Sequence, residues 1–164
     1  MTRRFEYLLS LNPDRPGLGE DGFTWQHPTP LDRQRLAELM LDAYRGTIDY
    51  DGETLTDALN EVNSYFSEMA DARWLDASWL VFDHDQLLSA SLVSYWTERK
   101  SPLIAYVLTA AQAKGRQLAT AAVSRSLHTL AAMGQEQVRA VITDGNTPSE
   151  KLFTRAGFVR LLPD

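Results

Sequence analysis

The stretch Leu103-Ile104-Ala105-Tyr106-Val107-Leu108 contains no charged residue. Strands with one solvated face usually alternate apolar and polar residues, whereas strands buried on both faces of a parallel sheet read as continuous apolar runs. These six residues therefore predict a strand that is buried on both faces. A parallel partner strand can be reached only through a crossover connection, so the residues that follow should contain a helix.

The residues after this strand predict a crossover helix of about five turns at 3.6 residues per turn, followed by a second strand. Gly134 lies where a left-handed C-terminal cap would end the helix, and the β-branched stretch 138–142 is the predicted return strand. The crossover should be right-handed, and ligands of such units bind where the strand ends meet the helix start. The residues at helical spacing are Leu118, Ala119, Ala122, Val123, Leu127, Leu130 and Ala131.

The loop between strand and helix, Lys114-Gly115-Arg116-Gln117-Leu118-Ala119, suits a diphosphate. A helix N-terminus presents unpaired backbone N–H groups and partial positive charge, and a glycine lets the backbone approach an anion closely. Lys114 and Arg116 add positive charge. The loop lacks the three glycines of the dinucleotide fingerprint and the Gly-Lys-Ser/Thr of the P-loop, so another phosphorylated ligand is expected.

The loop resembles the cofactor loop of the GNAT superfamily of N-acetyltransferases, Arg/Gln-x-x-Gly-x-Gly/Ala. In the preferred register Lys114 takes the Arg/Gln place, Gln117 replaces the middle Gly, and Ala119 takes the last place. In the second register Gln112 leads, Gly115 is the middle Gly, and Gln117 replaces the final small residue. Both registers remain open at the level of sequence.

A second motif lies about thirty residues later, from Asn146 to Gly157-Phe158. It is similar to the family segment in which an Asn follows the fifth strand and precedes a short helix that ends in Gly-Phe. Each residue also has a simpler interpretation. Asn146 could cap a helix that has Pro148 in its first turn, Gly157 could be a C-terminal cap, and Phe158 could be a core residue. The simpler interpretations do not explain why both motifs occur in this order.

The resemblance implies an α/β (α+β) fold. A mixed, mostly antiparallel sheet of about six to seven strands, with a central, splayed parallel pair, would be flanked by about four helices in one domain, 1–164. It also implies acetyl-coenzyme A as cosubstrate and a primary amine of a small molecule or peptide as acceptor. The predicted cofactor-binding residues are Val107, Leu108, Thr109, Gln112, Lys114, Gly115, Arg116, Gln117, Leu118, Ala119, Asn146 and Phe153.

The catalytic groups are less sharply defined by the sequence. The resemblance places a backbone oxyanion donor at Val107, Leu108 or Thr109, of which we select Leu108, and a proton-donating Tyr where this chain has Phe153. Tyr106 and Glu98 are candidates for the general base, against the simpler interpretations of a core aromatic and a solvated strand-end charge.

An acidic loop is the predicted acceptor site. Asp49, Asp51 and Glu53 lie between the first two predicted helices, where this fold commonly meets its acceptor; the alternative is a solvated loop. Thr29-Pro30 predicts the start of the first of these helices, and 78–82 and 87–96 predict an antiparallel hairpin.

The two ends of the chain differ from the family pattern. The six residues after Phe158 leave no room for the usual last strand, while Phe5 to Leu11 forms an extra apolar segment. We therefore expect residues 1–21 to be an extension that adds an edge strand to the sheet.

Composition limits the function. A net charge of -6 disfavours nucleic acid as a partner. The sequence has neither a long apolar run nor a signal peptide, which predicts a cytoplasmic protein without membrane contact. The histidines are not spaced as metal ligands. The chain has no cysteine, which excludes a cysteine acyl-enzyme. A homodimer is left open. The alternatives to an acetyltransferase are a catalytically inactive module that binds or senses coenzyme A, and an interaction domain without a cofactor.

Overall fold

The computed structural model describes residues 3–15 and 22–163. The strands are β1 (Arg4–Ser10), β2 (Thr24–Gln26), β3 (Trp79–Asp83), β4 (Gln86–Trp96), β5 (Ser101–Thr109), β6 (Gln137–Thr143) and β7 (Val159–Arg160). The helices are α1 (Arg33–Tyr44), α2 (Leu55–Ser64), α3 (Ala72–Asp76), α4 (Leu118–Ala132) and α5 (Thr147–Ala156). A π-helical turn, Tyr65–Met69, continues α2, and short 3-10 turns precede α1 and α4.

The seven described strands form one sheet in the order β2-β3-β4-β5-β6-β1-β7. All neighbours are antiparallel except β5 and β6, which are the parallel pair. The crossover helix α4 joins these two strands, as the sequence predicts. The predicted fold class is therefore confirmed, with five helices in the described ranges in place of about four.

The parallel pair separates soon after it forms. Leu103 pairs with Arg139 and Ile104 with Ala140, but no later register exists although β5 continues to Thr109. A β-bulge at the same level leaves Ala105 without a partner on β4, because Leu92 pairs with Tyr106 and Val93 with Ile104. Beyond Ile104 the two strands therefore border a crevice that opens through the sheet.

The prediction that strand 103–108 is buried on both faces is wrong, because the crevice exposes part of it. Ile104 and Leu108 are buried, whereas Ala105, Tyr106 and Val107 remain partly exposed because β6 has moved away from them. The helix α4 is also shorter than predicted, since its 15 residues make about four turns. Gly134 follows it with φ +86°, as expected of the residue after a helix C-terminus.

Helices cover both faces of the sheet. On one face, Tyr65 of the π-helical turn lies edge-on against Tyr106, with 6.1 Å between the ring centroids. On the other face, Ser126 of α4 donates a hydrogen bond of 2.9 Å to Ser91, the β4 residue opposite Val107. Tyr106 and Val107 thus point to opposite helix layers, and the crevice between β5 and β6 lies between those layers.

The N-terminal segment is an interior strand. β1 pairs along its whole length with β6, from Arg4 opposite Thr143 to Ser10 opposite Gln137, and its other side pairs with β7. The N-terminal segment does add a strand, but the prediction that this is the edge strand is wrong, because the two-residue strand β7 forms the edge next to β1. The prediction that no last strand fits is wrong for the same reason, since β7 needs only two residues. Residues 1–2 and 16–21 of the predicted extension lie outside the described residues.

A charged network joins β1, β6 and the turn between β4 and β5. Glu6 accepts hydrogen bonds from Arg139 at 2.9 Å and from Arg99 at 2.5 Å. The hydrogen bond from Arg99 is the main reason why the pKa of Glu6 lies below its ordinary value of 4.5; burial opposes this, and the charges of Arg99 and Arg139 add to it.

Glu6→Gln should lower the free energy of unfolding at pH 7 by about 1 kcal/mol or less, because the carboxylate is partly solvated. A depressed pKa contributes stability above the unfolded-state value, and this contribution is lost as the pH falls through the folded-state value. Urea unfolding at pH 7 and pH 3 should therefore show a wild-type advantage that shrinks at pH 3. Glu136→Gln, at an exposed position, is the control. If the difference in free energy of unfolding between wild type and Glu6→Gln were larger at pH 3 than at pH 7, the charged network would be contradicted.

Candidate functional site

A cavity of about 1350 Å³ occupies the crevice between β5 and β6. Its walls come from both strands, from the loop before α4, from the start of α5, and from α1, α2 and the loop that joins them. Among the residues predicted to form the site, the structure brings these to the cavity: Asp49, Glu53, Tyr106, Val107, Thr109, Lys114, Gly115, Gln117, Leu118, Ala119 and Asn146.

The loop before α4 is held against the end of α1. The Lys114 Nζ donates to the Ala43 carbonyl at 3.0 Å, and the Ala111 N–H donates to the Asp42 carboxylate at 2.9 Å. Gly115 has φ +86° and Gln117 has φ +66°. Glycine suits such angles best, so Gln117 has the conformation expected at the middle Gly place of the preferred register, and Gly115 has that expected in the second. The N-terminus of α4 begins at the next residue and faces the cavity.

Asn146 makes two contacts at the opposite side of the crevice. Its Oδ1 accepts a hydrogen bond of 3.3 Å from the Ser149 N–H, and its Nδ2 donates to the Asp49 carboxylate at 2.8 Å. The capping interpretation therefore describes one part of its role. The second contact ties the start of α5 to the loop between α1 and α2. Contact with a cofactor stays a prediction.

Backbone alternation identifies which N–H groups of β5 face the crevice. The Ala110 N–H donates to the Leu88 carbonyl at 2.8 Å, and the Leu108 carbonyl accepts from the Ser89 hydroxyl at 2.7 Å. Residues 108 and 110 thus direct their backbone groups to β4. Because backbone groups alternate along a paired strand, those of residues 107 and 109 face the other way. We therefore replace Leu108 as the predicted oxyanion donor by Val107 and Thr109, whose N–H groups face the crevice.

Besides Leu108, which is fully buried and does not line the cavity, five predicted site residues lie elsewhere in the described structure. Glu98 lies in the turn Thr97–Arg99 before β5, at the opposite end of that strand from the loop. Asp51 and Gln112 are exposed and do not line the cavity. Arg116 lies over the ring of Phe23, at 5.6 Å from its centroid.

Phe153 is the fifth of these residues. Its ring packs edge-on against Phe158 in the core, with 5.1 Å between centroids, and only 5% of the residue is exposed. The side chain of α5 that lines the cavity at this level is Leu152. A buried phenyl ring can neither donate a proton nor touch a ligand in the crevice, so the prediction of Phe153 as a cofactor contact is not supported by its position.

Tyr106 lines the cavity, but its acidity does not suit a general base. Burial, and then the charge of Glu61, raise its pKa to about 12, while Arg4 opposes the shift. The phenol is therefore protonated at neutral pH and can donate a proton or a hydrogen bond. The pKa of Tyr44, which also lines the cavity, is raised for the same first reason, followed by the charge of Glu61.

Glu61 is a site residue that the sequence reasoning missed. It lines the open cavity and stays exposed to solvent; its pKa is raised by loss of hydration among the cavity walls and then by the charge of Glu53, with Arg4 opposing. The sequence contained a usable signal. Four polar residues of α2 lie at positions i, i+3, i+4 and i+7, which form one face of a helix, and all four line the cavity: Asp57, Asn60, Glu61 and Ser64.

Two kinds of feature are absent from the described ranges. In residues 3–15 and 22–163, no group of three or more His, Asp or Glu side chains is arranged to hold a metal ion. None of the helices in those ranges has the length and apolar character to span a bilayer.

Comparison with protein families and solved structures gives a consistent result. A family model described as an acetyltransferase (GNAT) domain matches residues 23–159. A GCN5-related N-acetyltransferase from Sphaerobacter thermophilus is similar with a TM-score of 0.71 and 18% identity, covering 98% of this chain and 50% of that one. This chain thus spans half the length of that protein. No curated protein matches the chain.

Two similar structures contain coenzyme A. The PaiA N-acetyltransferase from Thermoplasma acidophilum, in complex with coenzyme A, has a TM-score of 0.67 and 12% identity, covering 87% of this chain and 92% of that one. The diaminobutyrate acetyltransferase EctA from Paenibacillus lautus, in complex with L-2,4-diaminobutyric acid and coenzyme A, has a TM-score of 0.62 and 14% identity, covering 82% and 74%. At such identities the likeness concerns the fold.

Proposed function

The chain belongs to the GNAT acetyltransferase domain family, and from this premise we propose that it transfers an acetyl group from acetyl-coenzyme A to a primary amine of a small molecule or peptide. The observation that carries the proposal is the crevice between β5 and β6. One end holds the N-terminus of α4, which suits a diphosphate, and β5 supplies backbone donors along the wall.

The dimensions of the crevice agree with an extended arm that carries a thioester. Between Thr109 and Tyr106 the strand advances by about 10 Å at roughly 3.3 Å per residue. A ligand anchored by phosphates at the loop can therefore lie along β5 with its reactive end near Tyr106. The similar structures with bound coenzyme A support the choice of this ligand.

The residues along the crevice can assist direct attack by an amine. The N–H of Val107 or Thr109 would stabilise the negative charge that develops on the thioester oxygen. Tyr106, which is protonated at neutral pH, would give its proton to the departing thiolate. Asp49 and Glu53 line the side of the cavity near α2 and would attract a cationic acceptor.

Thermal unfolding in the presence of acetyl-coenzyme A, coenzyme A or ATP tests the cofactor. A ligand that binds only the folded state adds about 2.7 kcal/mol at a concentration of 100 times its Kd. For a chain of this size we expect a rise in Tm of roughly 5–11 °C with the two coenzyme A compounds. ATP should give a much smaller shift. Equal shifts with all three, or none, would contradict the proposal.

A coenzyme A sensor without catalysis is the second candidate, because Phe153 is buried where the family often has a proton donor. Both candidates predict the thermal shift. Release of free thiol from acetyl-coenzyme A in the presence of a panel of primary amines separates them, since only the enzyme turns over. We further propose a cytoplasmic location and no nucleic-acid or membrane partner. The proposal does not decide between a monomer and a homodimer.

A further inference from the structure

Four carboxylates line the cavity, and three of them have hydrogen-bond partners. Asp49 accepts from Asn146 at 2.8 Å, Glu53 accepts from the Asp51 N–H at 2.8 Å, and Asp57 accepts from the Thr54 N–H at 2.9 Å as part of the cap of α2. Glu61 has no side-chain hydrogen bond or ion pair with any part of the chain that the structure describes. Its carboxylate is therefore free to accept a proton in the cavity.

Glu61 lies close enough to the reactive end of the crevice for its charge to act there. Its charge acts on the hydroxyl groups of both Tyr44 on α1 and Tyr106 on β5. Tyr106 precedes Val107, whose N–H faces the crevice and is a candidate oxyanion donor. The unpartnered carboxylate and the oxyanion donor thus line the same cavity, in which a thioester would meet an amine.

We propose that Glu61 is the general base that accepts the proton of the attacking amine, directly or through one water molecule. This inference rests on the proposed acetyltransferase function and adds a residue to it. Glu61 shares the cavity with charged and titratable groups from every neighbouring element: Arg4 of β1, Tyr44 of α1, Asp49 and Glu53 of the loop before α2, Asp57 of α2, Tyr106 of β5 and Lys114 of the loop before α4.

The proton transfers balance. The ammonium form of the acceptor first loses one proton to solvent, and the free amine then forms the C–N bond while the electrons of the C=O bond move to oxygen. Glu61 takes the second proton from nitrogen, which becomes acidic as that bond forms. The electrons on oxygen then return and break the C–S bond, and the thiolate takes the proton of Tyr106. Tyr106 regains a proton from Glu61 through water, so the net release is one proton per amide formed.

Loss of hydration among the cavity walls and the charge of Glu53 give the base a useful property, although the residue stays exposed to solvent. Both raise its pKa above the ordinary value of 4.5 and therefore strengthen it as a proton acceptor. A base must be unprotonated to act, so kcat/KM should fall as the pH drops through the pKa of Glu61. This fall at the acid side of the pH profile, the acid limb, should lie at higher pH than expected for a glutamate in free solution.

Glu61→Gln tests the inference, with Glu61→Asp as the conservative variant and Glu68→Gln as a matched control at an exposed position outside the cavity. Each is assayed for free thiol release from acetyl-coenzyme A with the primary amine that wild type uses best in the panel. We expect Glu61→Gln to lower kcat by roughly 10²–10⁴-fold, as is typical for loss of a general base. The KM for acetyl-coenzyme A and its thermal shift should be unchanged, and the acid limb should disappear.

The outcomes separate this inference from the proposed function. Glu61→Asp should recover part of kcat together with an acid limb, and Glu68→Gln should behave as wild type. Wild-type turnover with an unchanged kcat in Glu61→Gln, or with a change confined to the KM of the amine, would overturn the role of Glu61 and leave the acetyltransferase function standing. No thiol release by wild type with any amine would overturn both.

Discussion

Gly115→Asp is expected to weaken binding of coenzyme A by about a hundredfold, which corresponds to roughly 2.7 kcal/mol. The new carboxylate would lie at the N-terminus of α4, where the diphosphate is expected. Two unit charges 4 Å apart repel by about 4 kcal/mol at an effective dielectric constant of 20, and solvent reduces this at an exposed site. No heavy atom lies within 4 Å of a Cβ built on Gly115, so internal clashes contribute little. Isothermal titration with coenzyme A measures the effect.

Gly134→Asp is a closely matched control. Gly134 has the same φ of +86° and the same open surroundings, but it lies at the other end of α4 and does not line the cavity. Both substitutions should cost about 1 kcal/mol of stability, because a side chain is strained in the left-handed region. Only the change at 115 should impair binding. Equal losses of affinity in the two variants would show that the loop is not the phosphate site.

Ser78→Ala is expected to lower the free energy of unfolding by about 3 kcal/mol, or the Tm by roughly 6–12 °C. The Ser78 hydroxyl is fully buried, accepts the Val93 N–H at 2.7 Å, and donates to the Trp74 carbonyl at 2.8 Å. The Tyr65 hydroxyl lies 3.0 Å from it and donates to the Val93 carbonyl. Alanine would leave the Val93 N–H buried without an acceptor, which is the costly part of the change.

The same substitution also bears on the site, because the Tyr65 ring packs against Tyr106. Urea unfolding and circular dichroism melting would measure the stability. Ser67→Ala, which removes an exposed hydroxyl from the neighbouring π-helical turn, should change it by less than about 0.5 kcal/mol and serves as the control. A similar stability for both variants would show that the buried network contributes little.

Local features of the fold were predictable from the sequence. The uncharged run 103–108, the periodic helix after it and the return strand formed the observed β5-α4-β6 unit, because each signal depends on neighbouring residues. The loop registers stay predictions, since Gly115 and Gln117 both adopt the positive φ that glycine prefers. The splitting of β5 from β6 was expected only through the family resemblance. Nothing in the apolar run itself indicates where pairing with β6 stops.

The candidate site was less predictable because it depends on packing between distant elements. Phe153 belongs to a short amphipathic helix, and only the docking of α5 decides that this residue faces the core while Leu152 faces the cavity. In the sequence, Glu61 is only one member of the polar face of α2, and such a face is equally typical of a solvated helix surface. This face lines the crevice because α2 packs against α1, which the sequence of α2 does not reveal. The strand β7 was missed because two residues carry no periodic signal.

The position of β1 has a consequence for biosynthesis. Its partner β6 lies more than a hundred residues later in the chain, so a nascent polypeptide cannot complete this ladder until most of the chain has left the ribosome. Pairing over such a separation carries a large loop-closure cost and should be among the slow steps of folding. Because β6 is one wall of the crevice and β1 supports its outer side, the ligand site should be among the last parts of the molecule to form.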